Sequence, residues 1–481
     1  MTGFTRAILF AATLLGLTAG ESVAGGNTTP AQRHHSLTLE AAISLALKQN
    51  PDVLKAIHEI ERTRGQVIQV RAQALPNVQA AGSYNQYQPE LIGSGGGGGS
   101  TAAGGSAFFS SGSQDKSWRI TLQVNQIIYS GGKVKAAVKI AELTQDTSHQ
   151  LLRETASTVI ASVRTQFYTA LLNRELIKVA EESIVLLADQ LRDQQNRFDA
   201  GTVPRFNVLQ AEVELANARP DLIRARNNFH ISRLQLAKTL GLDTDDEPDV
   251  SGTLRMIPRE VNLPRALATA RKNRAILKAQ QNSVASAEQQ ITVAKAGYKP
   301  SLNADVGYEA LNSRSSRDLA KVTNGWYLGV NGTWAIFDGF QTRGNVDQAK
   351  ASLASAKVAL ADSIQQVELE VQKAYAQARV AREVIASQEK VVEQADEALR
   401  LARERLNAGA GTQLDVLNAR VALTKARTTQ KQALSDYNVA LAEYDRATGA
   451  EAIQDPTIAA LQVATPVGLF PRPRPALIQS E

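Results

Sequence analysis

The chain has 481 residues, enough for two or three ordinary domains. Aromatics make up only 5% beside a hydrophobic content of 43%, which suits Ala- and Leu-rich helix packing better than large globular cores. The formal charge of +6 is spread thinly, with no basic block or basic–aromatic face, which argues against nucleic-acid binding. The absence of cysteine excludes disulfides, thiolate metal sites and a lipidated N-terminal cysteine.

Met1–Ala24 carries Arg6, an apolar run from Ala7 to Leu17, and the small residues Ser22-Val23-Ala24. That pattern predicts a secretory signal cut after Ala24, because the apolar run falls well short of the ~20 residues a membrane helix needs. Gly25–Ser36 is polar and predicts no regular structure. Leu37–Gln49 is amphipathic, and Asn50-Pro51 then starts a helix that ends at Pro76. Strands are expected over about 77–88 and 117–129, separated by a Gly/Ser-rich surface loop from Pro89 to Ser117. In the second strand Trp118, Ile120, Leu122 and Val124 alternate with Arg119, Thr121, Gln123 and Asn125, one greasy face and one wet face.

Tyr129-Ser130-Gly131-Gly132 turns the chain into a rod. No proline interrupts Lys133–Ala200, a helix of roughly 100 Å at 1.5 Å per residue. Steps of seven give Ala156, Val163, Ala170, Ile177, Ile184, Leu191 and Phe198, an apolar column that expects helical partners along its length. Asp199–Pro204 reverses the chain into a returning helix, 204–240, in which Pro220 predicts a kink. Asp243–Gly252 is an acidic linker.

The series then restarts. Leu263, Ala266, Ala270, Pro300 and Tyr308 match Leu39, Ala42, Ala46, Pro76 and Tyr84 at an offset of 224. After the shorter second loop, Trp326, Gly339 and Gly409 match Trp118, Gly131 and Gly201 at 208. Over Arg197–Arg219 against Arg405–Arg427, 10 of 23 positions are identical, so the chain is an internal duplication. The second copy predicts strands at about 301–310 and 325–337, a long helix at 341–408 and a return helix at 412–448. The repeats span 25–250 and 251–455, and 456–481 is an irregular tail.

Each copy reads helix, helix, strand, strand, rod, returning helix, with the two shorter helices stacked end to end against the rod. Strands of about ten residues can cross a bilayer when tilted, but an open four-stranded sheet leaves backbone groups unpaired in lipid. Several chains must therefore pool strands into one β-barrel above gathered rods. Tyr84, Trp118, Tyr308, Trp326 and Trp334 are the expected membrane girdle. The blander reading is a secreted structural coiled-coil protein with a small soluble hairpin.

The duplicated plan, the strand-to-rod turns Tyr129-Ser130-Gly131-Gly132 and Phe337-Asp338-Gly339-Phe340, and the stretch Ala408–Ala419 (AGAGTQLDVLNA) resemble the TolC family of outer-membrane efflux proteins. The resemblance covers nearly the whole mature chain. It implies a mainly α fold with a small β part, trimerising into a 12-stranded β-barrel on an α-helical barrel across the periplasm. It implies an exit duct for drug efflux or type I secretion, working with a periplasmic adaptor and an inner-membrane transporter. In the family, aspartates of the returning helix line a constriction. Asp415 falls on the first, Asn418 replaces the second, and Gly411 replaces an arginine that tethers the closed state.

From the residues alone, Asp415 and Asn418 stand three apart on one helix face. Threefold symmetry would gather three Asp415 carboxylates into a cation-favouring ring and raise their pKa values. The other reading of Asp415 is a first-turn charge favourable to the helix dipole. The turns, with Phe198, Gly201, Thr202 and Val203 in one copy and Leu406, Gly409, Gly411 and Thr412 in the other, are the expected adaptor contacts. The five histidines share no ligand spacing, Gly131-Gly132-Lys133 lacks phosphate-loop spacing, and no nucleophile–base pair stands out. Neither an enzyme, nor a cofactor, nor a metal site is expected.

Overall fold

The computed structural model describes residues 36–86, 116–243, 245–256, 258–312 and 319–450. The expected signal, His34 and His35, the Gly/Ser-rich stretch up to Asp115, and the tail lie outside them. A short strand, β1 (Ser36–Leu37), leads into α1 (Leu39–Gln49), whose first turn is held by the Thr38 hydroxyl. Asn50 follows in an extended conformation and caps α2 (Pro51–Ala72), its side-chain oxygen accepting from the N–H of Asp52 at 2.8 Å. Pro51 has no N–H to lose and sits where the helix needs none.

Next come β2 (Asn77–Gln86), β3 (Lys116–Tyr129), the rod α3 (Lys133–Asp199) and the returning α4 (Arg205–Leu240). A two-residue strand, β4 (Asp249–Val250), pairs parallel with β1. The second half holds α5 (Leu263–Asn273), α6 (Ala275–Lys295), β5 (Ser301–Asn312), β6 (Val322–Thr333), α7 (Gln341–Asn407) and α8 (Gln413–Thr448). Shifted by 208, the bounds of α3 and α4 fall on those of α7 and α8; shifted by 224, α1 falls on α5.

The duplication reaches the strand register. The sheet runs β2-β3-β5-β6, antiparallel throughout. Asn77 opposite Asn125 in the first hairpin becomes Ser301 opposite Thr333 in the second, and Tyr84 opposite Trp118 becomes Tyr308 opposite Trp326. Alternation fixes this, since a slip by one residue would turn every apolar side chain to the wet face.

α2 and α4 both pack on α3 and meet end to end. Asn50 Nδ2 donates to the Thr239 carbonyl in the last turn of α4 at 2.7 Å. Gly241 ends α4 in the left-handed region, and a Cβ there would stand 2.4 Å from the Gln49 carbonyl oxygen. The main core surrounds this joint: Val53, Leu152, Val163, Phe167, Leu171, Leu236 and Leu240 are buried together. Burial of each such side chain is worth about 1.5–3 kcal/mol. Val371, Ala374 and Tyr444 anchor the matching core of the second repeat.

The α3 column is buried at Ala156, Val163 and Ala170, half-buried from Ile177 to Leu191, and exposed at Phe198. One expectation is corrected. β6 stops at Thr333 instead of reaching 337, because β5 begins at Ser301, opposite Thr333, and offers Trp334–Phe337 no backbone to pair with. α4 passes through Pro220 as one helix. Pro220 lies on an exposed face, where the carbonyl that loses its N–H partner can turn to water.

Candidate functional site

The sheet separates its faces cleanly. Val78, Ala80 and Tyr84 of β2 share one face with Ile120, Leu122 and Val124 of β3, Val306 and Tyr308 of β5, and Trp326, Leu328 and Val330 of β6. Most of these side chains are exposed, Trp326 by 78%. The opposite face is polar and tied across strands: Arg119 pairs with Glu309 at 3.1 Å, and Asn331 donates to Asp305 at 2.6 Å. On that face Tyr327 lies across Gly307, where a Cβ would fall 2.5 Å from the ring. Among the described residues no helix is long and apolar enough to cross a membrane, and β2 and β6 each pair on one side only.

The aromatic residues stand at two ends. Tyr84 and Trp118 form the outer pair, with the Trp118 indole donating to the Leu319 carbonyl at 3.0 Å. Tyr308 and Trp326 lie four residues further along, level with Leu122. Trp334 is at the rod end beyond β6, its indole N–H donating to the Tyr298 carbonyl at 3.1 Å.

At the far end the two turns are built alike. Gly201 and Gly409 both take φ 73°, and the Thr202 and Ala410 N–H groups donate to the Arg197 and Arg405 carbonyls at 2.9 Å. The Arg197 guanidinium donates to Asn407 at 2.7 Å, joining turn to turn. Phe198 is exposed and Leu406 half-buried. A Cβ on Gly411 would stand 3.1 Å from the Arg405 Cβ, a tight contact that asks its neighbour to give by a few tenths of an ångström.

Asp415 occupies the third position of α8 in a reciprocal cap with Thr412. Its N–H donates to the Thr412 hydroxyl at 3.2 Å, and its Oδ2 accepts from the Thr412 backbone N–H at 2.8 Å. The Thr412 backbone and hydroxyl bonds hold its carboxyl below the usual aspartate range. Asn418 is exposed one turn on.

A polar layer near this end went unread in the sequence. Arg420 of α8 is only 3% exposed, and its Nε and Nη1 have no hydrogen-bond partner among the described residues. Glu214 of α4 faces it, with burial pushing the carboxyl up against the opposing pull of Arg420. Gln194 of α3 is buried and donates to Gln413 at 3.4 Å. The signal available was Arg420 stepping through the apolar positions Val416, Leu423 and Ala426, all buried.

The outer membrane efflux protein family model matches residues 42–242 and 266–450, one segment per repeat. The chain belongs to that family. It is similar to the cobalt-zinc-cadmium resistance protein CzcC of Cupriavidus metallidurans, 24% identical over 427 residues that cover 87% of this chain and 92% of the relative. It is also similar to the outer membrane efflux protein BepC of Brucella suis, 23% identical over 330 residues, covering 69% and 72%. Among solved structures the Campylobacter jejuni CmeC outer membrane channel shares the fold at TM-score 0.74 and 18% identity, over 88% of each chain. The protein is therefore an exit duct of the outer membrane that extends into the periplasm, in a family of channels and not of enzymes. Membership sets aside the secreted structural coiled coil.

Proposed function

We propose that three copies form a homotrimer whose four-stranded sheets join edge to edge into a twelve-stranded barrel, with the helical hairpins gathered beneath as a periplasmic tunnel. The carrying observation is a sheet apolar on one face, polar on the other and open at both edges. Such a sheet can enter lipid only if its edges are closed, and four strands are too few to enclose a lumen. Tyr84, Trp118, Tyr308 and Trp326 anchor the barrel in lipid toward one surface and Trp334 toward the other. Met1–Ala24 exports the chain.

Conduction is passive. The turns Phe198–Val203 and Leu406–Thr412 dock a periplasmic adaptor, which joins the duct to an inner-membrane transporter that supplies the energy and selects the cargo. Asp415 and Asn418 line the constriction at the turn end. The cap that lowers the Asp415 pKa keeps its carboxylate ionised at neutral pH, so three of them favour cations.

Planar-bilayer recording tests this. The purified protein gives discrete conductance steps, and Asp415→Ala lowers the cation-to-anion permeability ratio and relieves block by divalent cations. Unchanged selectivity assigns Asp415 to capping alone, and a complete lack of steps removes the duct reading.

A further inference from the structure

The seam between the repeats within one chain can be transposed onto the surface the chain leaves open. Within the chain, β3 of the first repeat pairs with β5 of the second, and α3 packs on α6. At this seam Gly131 is pressed against the turn that follows α6, with its Cβ position 2.9 Å from Lys299 Cβ and 3.0 Å from the Ala296 carbonyl, and Gly132 faces Thr292 of α6 at 3.9 Å. On the matching side of the second repeat, β6 has no strand partner beyond β5 among the described residues. A Cβ on Gly339, the counterpart of Gly131, would meet no described atom within 4 Å beyond its chain neighbours.

At the position of Gly132 stands Phe340. It is the only non-glycine among the described residues with positive φ, 68°, and it is 66% exposed. A phenylalanine held left-handed costs about 1–2 kcal/mol where glycine costs nothing. Its ring stacks edge-on with the exposed Phe337 at 5.6 Å. The isolated chain therefore carries strain that presents apolar surface to solvent.

We infer that the seam between copies repeats the seam within the chain, register for register, and that Phe340 packs on Ile68 of the neighbouring copy. This rests on the trimer reading and fixes its contacts. Carrying β3 forward by 208 and β5 back by 224 turns Leu122 opposite Tyr308 into Val330 opposite Tyr84 of the next copy. Gln126 opposite Ala304 becomes Trp334 opposite Ala80, and Tyr129 opposite Leu302 becomes Phe337 opposite Val78. Each of these transposed pairs sets apolar against apolar, and Asn331 falls opposite Ser83 on the polar face, as the alternation shared by the two repeats requires.

The same shifts set Gly339 against Ala72 and Leu75 of the neighbour, and Phe340 against its Ile68. Leu75 is 62% and Ile68 56% exposed in the single chain. Where the inner seam has Gly132 against Thr292, the outer one has Phe340 against Ile68, an apolar staple specific to the joint between chains. The transposition also supplies the backbone missing beyond Thr333, so β6 lengthens to Phe337 when copies meet.

The chain has no cysteine, so paired cysteines report contacts cleanly. Phe340→Cys with Ile68→Cys, and Trp334→Cys with Ala80→Cys, oxidised in outer-membrane vesicles, are expected to link chains at least tenfold more than Trp334→Cys with Val78→Cys, which is slipped by two residues. Gly132→Cys with Thr292→Cys, placed on the inner seam, links within one chain and reports that the fold is intact. Preferential linking of the slipped pair, or no linking from Phe340→Cys in a particle that still sizes as a trimer, overturns the seam and leaves the duct reading standing. A monomeric particle ends both.

Discussion

Asn50 and Arg274 hold the same place in the two repeats and join the same helices by different chemistry. Asn50 donates to the carbonyl of Thr239, and Arg274, 224 residues on, donates to the carbonyl of Ala447, which lies 208 beyond Thr239. Each splices the start of one short helix to the end of the returning helix, so that two helices run as one along the rod. Asn50 also caps its helix, whereas Arg274 reaches across to Glu154 of α3 at 2.8 Å and Glu370 of α7 at 3.0 Å. Arg446 joins Glu370 at 3.0 Å, so the second joint ties rod to rod.

From this, Arg274→Ala should be the most damaging single change at the joints. The side chain is 4% exposed, and its loss leaves Glu154 and Glu370 to share Arg446 alone, 3.9 and 3.0 Å away. Removal of one member of a buried network costs about 3–5 kcal/mol. Asn50→Ala should cost about 1–2 kcal/mol as a lost cap and splice. Melting of the two variants in detergent should show Arg274→Ala well below Asn50→Ala, and equal shifts would refute the ranking.

The Asp415 cap predicts a dependence on acid. Its carboxyl titrates below the ordinary range in the folded chain, so its contribution is present above about pH 3.8, the unfolded value, and is lost as pH falls through the lower folded one. Hydrogen exchange of the amides from Thr412 to Leu417 should be faster in Asp415→Ala than in the parent at pH 7. The gap should close as pH falls through the lowered folded value, where both lack the carboxylate. A gap that persists in acid would mean the cap does not depend on the charge.

Much of this architecture was legible in the chain because its signals are local. Period-two strands, a cap such as Asn50-Pro51, and glycines at the turns each declare themselves within a few residues. The joints were not, because Arg274 is no capping residue and its carboxylate partners sit 96 residues away or more. Trp334 and Ile336 continue the alternation of β6, yet the strand stops at Thr333, since a strand ends where its partner does and not where its pattern does. Arg420 was passed over as one charge among many on an Ala-rich helix. Burial, which alternation on a neighbouring helix controls, made it singular.

Glu214 and Arg420 give the last prediction. Burial raises the Glu214 carboxyl above the ordinary range in the folded state, with the Arg420 charge opposing but not cancelling it. A raised acid stabilises the fold fully below about pH 4.5, its unfolded value, and that contribution fades as pH climbs through the folded value. Glu214→Gln should therefore flatten the decline of melting temperature with pH above that point. Arg420 is buried with donors unmet, so Glu214→Gln with Arg420→Met replaces a strained polar layer by a tighter core. Such replacements are neutral or stabilising by about 1–4 kcal/mol. The double variant should melt no lower than the parent at pH 7, and a fall of several degrees would show that the charges are paired in the assembled duct.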